Sequence, residues 1–132
     1  MDRPPTATLP LEGWEAAVLR HILRAEPDAA LATQLAGVRV LDRAFVGPSL
    51  CIRLVAPSGS FPASRGAVFG GHTFARLDGC EARAAFTLHL DDRGWVSHLH
   101  AFLEDDSPWP MDPSGRAPVP VLQDWSEAGR PA

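Results

Sequence analysis

The chain has 132 residues, 45% hydrophobic and 21% charged, a size and balance that suit one soluble globular domain with a core of its own. Its net charge is −4, so it lacks the basic field that phosphate backbones attract, which argues against a general nucleic-acid binder. Its two cysteines, Cys51 and Cys80, are too few for a disulfide framework and lack C-x-x-C spacing.

Both cysteines read as small buried hydrophobes, and one Cys51–Cys80 bridge requires the strands to bring them close. The opening "MDRPPTATLP" shows no apolar leader run, and the longest apolar runs fall far short of the ~20 residues of a membrane span. A cytoplasmic protein with no membrane partner is the expectation.

Residues 1–10 hold three prolines and no periodic pattern, and read as a flexible arm. In "LEGWEAAVLRHILRAE" the apolar positions Leu11, Trp14, Val18, Ile22 and Ala25 step by three and four, the mark of one helix face. Pro27 stops that helix and suits the start of another. "PDAALATQLAG" predicts a short second helix, with Gly37 in a left-handed cap. A single kinked helix is the alternative.

From Val38 the period changes to two. "GVRVLDRAF" and "LCIRLVA", joined at "VGPS", predict an antiparallel hairpin. "APSGSFPASRGAVFGGH" reads as a loop with an apolar island at Ala67–Phe69. "HTFARLDG" predicts a third strand and "EARAAFTLHL" a fourth, with Ala82, Ala84, Phe86, Leu88 and Leu90 on one face. "DDRG" is a turn with Gly94 at positive φ. "WVSHLHAFL" returns, with Trp95, Leu99, Ala101 and Leu103 inward and Val96, His98, His100 and Phe102 outward. Prolines at 108, 110, 113, 118 and 120 forbid regular structure in the tail.

These elements define an α+β fold: one or two N-terminal helices on an antiparallel β-sheet of about five strands, with an irregular Pro-rich C-terminal tail. The division is an arm over 1–10, one domain over 11–110, and a tail over 111–132. The expected core is Val38, Val40, Leu50, Ile52, Leu54, Phe86, Leu88, Leu99 and Leu103 against Trp14, Val18 and Ile22.

The pattern with most chemistry is "HLDDRGWVSHLHAF", three of the chain's five histidines within twelve positions. With Leu90 opposite Trp95, His89 becomes the diagonal neighbour of His98, and His98 and His100 share its face. Three imidazoles on a sheet suit zinc with one position left for water, as in a metal-dependent hydrolase or lyase. His72 is a candidate fourth ligand. The competing reading is a solvated face on which the histidines are incidental. A one-residue slip in register would scatter them.

Other chemistry is thin. The chain has no lysine, which excludes P-loop and Schiff-base mechanisms, and no serine sits in a G-x-S-x-G elbow. No catalytic constellation and no organic cofactor motif is present. The leading expectation is therefore a non-catalytic interaction domain, with Val96, Phe102 and Trp109 as candidate partner-binding residues. A small-molecule site between helix and sheet is a further alternative.

The segments "RAFVG" (Arg43 to Gly47), "DDRGWVSHLHAF" (Asp91 to Phe102) and "WP" (Trp109-Pro110) resemble a family of small uncharacterised bacterial proteins. That family has a helical N-terminus, an R-x-F-T-G strand opening, and a hairpin returning as dG-x-l-x-x-L-E-x-(F/Y) before W-P. The likeness spans roughly residues 14–110. Val46 stands where Thr is usual and His100 where Glu is usual, so the resemblance counts against an inherited histidine metal site. It implies a small binding domain, in some members an immunity-type partner of another bacterial protein, and carries over no catalytic residue.

Overall fold

The computed structural model describes residues 7–63, 68–77 and 80–110, with the side chains of Gly71 and His72 left out. Two helices, α1 (Gly13–Ala25) and α2 (Ala29–Leu35), precede five strands: β1 (Arg39–Val46), β2 (Ser49–Val55), β3 (Val68–Arg76), β4 (Arg83–Leu90) and β5 (Val96–Leu103). The strands form one antiparallel sheet in the order β1-β2-β5-β4-β3, and the helices cover one face, an α+β fold.

The helices start where the chemistry places them. Glu15 accepts the orphan backbone N–H of Glu12 at 2.8 Å, and Asp28 Oδ1 accepts that of Leu31 at 2.9 Å. Pro27 lies between them, so the two-helix expectation holds. Gly37 does not take the expected left-handed conformation. Its small size matters instead, because a Cβ there would meet the Pro57 ring at 3.1 Å.

α1 buries Val18, Leu19 and Ile22 against the inner sheet face, where Val40, Leu50, Ile52, Phe86, Leu88 and Leu99 are all nearly inaccessible. Every residue of the expected core is buried. Each large side chain there contributes about 1.5–3 kcal/mol by leaving water. Trp14, Phe86 and Trp109 close one end of the layer, with ring centroids 6.1–6.3 Å apart.

Two buried polar groups fasten the layers. Glu15 is fully buried and takes two bonds from the Arg43 guanidinium, at 2.6 and 2.8 Å, which ties α1 to β1. Gln34 is also fully buried. Its amide donates to the carbonyls of Phe61 and Gly94, at 3.0 and 2.9 Å, and accepts the N–H of Val96 at 2.8 Å. The β4–β5 turn is thus held from α2.

Several expectations need correction. The arm is anchored at its end: Leu9 and Val40 exchange backbone hydrogen bonds of 2.8 Å. β3 begins at Val68, inside the expected loop, because Phe69 pairs with Leu88 and enters the core. The sheet then bulges at Gly70, φ +96°, where a Cβ would press on Ile22 and the Phe86 carbonyl at 3.0 Å. β1 bulges between Val40 and Asp42, which brings Arg43 rather than Asp42 to the inner face. Residues 1–6 and 111–132 lie outside the described residues.

Candidate functional site: the outer face of the sheet

The β4–β5 register differs from the assumed one. Leu90 pairs with Val96, not Trp95, and the register shifts between His89 and Leu90, leaving Ser97 between Val96 and His98. His89 therefore lies directly opposite His98, and Thr87 opposite His100. The shift also turns Val96 inward, where it is 6% exposed, while Trp95 stays half-buried. Hydrogen bonding explains this. Asp91 Oδ1 accepts the backbone N–H groups of Arg93 and Trp95 at 2.9 and 3.0 Å, and Gln34 takes that of Val96. Trp95 thus belongs to the turn.

The outer face is built in rows across the strands. Asp42, Arg53, His98, His89 and Val68 form the first, running from β1 through β2, β5 and β4 to β3. Ala44, Cys51, His100 and Thr87 form the second. Phe102, Ala85 and Phe74 form the third. Among the described residues no helix or strand covers these rows, and Val46 and Val68 on the same face are 63% and 50% exposed.

All three sequence-singled histidines meet here. The His89 and His98 rings stack 4.5 Å apart and 5° from parallel. His100 stands 6.0 Å from His89 at 65° and packs on Phe102 at 4.9 Å. Nitrogen lone pairs lie in the ring plane, so two parallel stacked rings cannot both point at one ion about 2.0–2.1 Å away. One nitrogen of each stacked ring is also engaged, His89 Nε2 with the Thr87 hydroxyl at 2.9 Å and His98 Nδ1 with that of Ser97 at 3.2 Å. Among the described residues no three His, Cys, Asp or Glu side chains are placed to hold a metal. The side chain of His72 is outside them.

Burial holds the proton affinity of all three imidazoles below its usual value. At His89 the charges of His98 and then His100 add to it, and at His100 that of His98 does. Cys51, opposite His100, is a free thiol whose pKa burial pushes up, so it is a poor nucleophile. The charges in the three rows are paired. Arg53 grips the Asp42 carboxylate, and Arg83 binds Glu104 at 2.5 Å while lying 4.2 Å over the Phe74 ring.

Of the candidate partner-binding residues, only Phe102 is at this surface. Val96 and Trp109 are core residues, 6% and 3% exposed. The space between α1 and the sheet near Trp109 is filled by aromatic rings. Thr73 Oγ1 and Trp109 Nε1 are buried there without a hydrogen-bond partner among the described residues. A cleft of about 430 Å³ lies instead between the two helices, lined by Leu11, Leu19, Leu23, Leu35 and Val38, with Arg20 as its one charged group.

No described helix is long and apolar enough to cross a membrane. Comparison with protein-family models, with curated proteins and with solved structures finds no match.

Proposed function

We propose that the chain is a non-catalytic protein-interaction domain whose binding surface is the outer face of its sheet. One observation carries this reading: an outer sheet face of small, apolar and imidazole side chains, on which Arg53 and Asp42 neutralise each other, is left uncovered by every described helix and strand. A sheet face with exposed apolar side chains such as Val46 and Val68 and no layer over it suits an interaction site. The layout favours binding over chemistry. The imidazoles occupy one another and neighbouring hydroxyls, the thiol is held protonated, and the carboxylates are paired with arginines. The interhelical cleft, with Arg20 alone to orient a ligand, offers little specificity for a small molecule.

The resemblance to small bacterial binding proteins supports a bacterial, immunity-type role. Two free cysteines suit a reducing cytoplasm. The test is affinity capture from the source lysate with the full chain and its Phe102→Asp variant. A stoichiometric protein retained by the first and lost by the second is expected. Equal capture by both, or no stoichiometric protein with either, contradicts the reading.

A further inference from the structure

We infer that the outer sheet face pairs with the same face of a second copy of this chain, about a two-fold axis running across the strands at the level of Cys51 and His100. This rests on the outer face being the binding surface, and names its partner.

Area comes first. Eight-residue strands at ~3.4 Å per residue and five strands at ~4.8 Å spacing give a face of about 27 by 24 Å, or about 650 Å² per copy. Two such faces bury about 1,300 Å², inside the roughly 1,200–2,000 Å² of stable complexes.

Shape and charge agree. An axis at the second row lays the first row of one copy over the third row of the other. His98 then meets Phe102 of the second copy, and His89 meets the small, buried Ala85. Large side chains oppose small ones on β4, and an imidazole opposes a phenyl ring on β5. Sheets packed face to face at ~10 Å interdigitate in this way. The charged groups facing the imidazoles are Arg53, on the neighbouring strand, and Asp42, which neutralises it. With Arg83 bound to Glu104 at the other edge, no unpaired charge stands at the centre. A centre without unpaired charge suits a protein interface.

The chain's own tail is the rival occupant. The described chain ends at residue 110, beside Trp109 on the helix side of the sheet. Trp109 there stacks on Trp14 at 6.3 Å and donates its backbone N–H to the Pro48 carbonyl at 2.7 Å. To reach the histidines the tail has to round the sheet edge.

The axis makes a sharp prediction. Cys51 lies in the axial row, so the two Cys51 residues face each other across the sheets, too far for a disulfide and within reach of a short bismaleimide. The experiment is sedimentation equilibrium of the full chain at pH 7.5 and 5.5, beside its Phe102→Asp and Thr87→Arg variants. Circular dichroism confirms that each variant folds. Bismaleimide cross-linking follows in a Cys80→Ser background.

A dimer at tens of micromolar is expected at pH 7.5. It weakens at least ten-fold in either variant, and it is weaker at pH 5.5 than at pH 7.5, because burying the imidazoles opposes their protonation. Cross-linking through Cys51 is expected, and is abolished by Cys51→Ser. A monomer at several hundred micromolar, a dimer indifferent to both variants, or a dimer whose Cys51 is labelled by a monofunctional maleimide yet is not cross-linked overturns the inference. A full-length monomer that dimerises only after removal of 111–132 assigns the face to the tail instead. A monomer whose outer face still captures another protein in a Phe102-dependent way overturns the pairing and leaves the broader reading standing.

Discussion

Histidine is the residue that sets the chemistry of this molecule, and its proton is the measurable handle. His89, His98, His100 and, through burial and then Arg24, His21 all hold their pKa below the usual 6.5. An unfolded chain takes up these protons near pH 6.5, while the folded chain resists until a lower pH. Between those values the unfolded state binds more protons, so stability is full above about pH 6.5 and falls as pH drops toward the folded values. Thermal melting at pH 7.5 and 5.5 should show a lower midpoint in acid. A His98→Asn variant, which removes the charge felt by both His89 and His100, should show a shallower decline. An unchanged slope would contradict this account of the cluster. A second outcome follows from the stacked rings. Equimolar zinc should leave the melting midpoint within a degree or so and should not co-purify stoichiometrically by elemental analysis. A large upward shift would mean that the imidazoles reorient to converge.

The hairpin β4–β5 shows at the level of elements what the sequence carried and what it did not. Alternation placed His89, His98 and His100 on one face, and "DDRG" marked the turn with Gly94 at φ +90°. The pairing was not legible, because it depends on Gln34, about sixty residues earlier, capturing the Val96 N–H. A local pattern cannot report a hydrogen bond from another element. For the same reason Val96 looked outward and is inward. Bulges at Val40/Asp42 and around Gly70 were equally hidden, since each is set by what packs across it: Glu15 against Arg43, and Ile22 against Gly70. Two substitutions test the clamp. Gln34→Leu strands a buried N–H and a carbonyl and should cost about 2–4 kcal/mol in urea unfolding. Gly94→Ala places a Cβ 2.2 Å from the Ala63 carbonyl at a left-handed φ, and should cost at least about 2 kcal/mol in the same measurement.

The whole molecule is a two-layer domain with one face buried and one face open. The buried half was readable almost residue by residue, because hydrophobic periodicity reports burial directly. The function of the open half was not, because a face that meets another protein and a face that meets water draw on similar residues. The account stands or falls on whether that open face is covered in solution. The direct measurement is site-resolved carbethoxylation of histidines by mass spectrometry, on the full chain at 1 μM and at several hundred micromolar, pH 7.5. His21 on α1, away from the proposed interface, serves as the internal reference. The account predicts that His98 and His100 react several-fold more slowly at the higher concentration while His21 does not change. Equal reactivity of all three at both concentrations would contradict pairing of the outer face with a second copy.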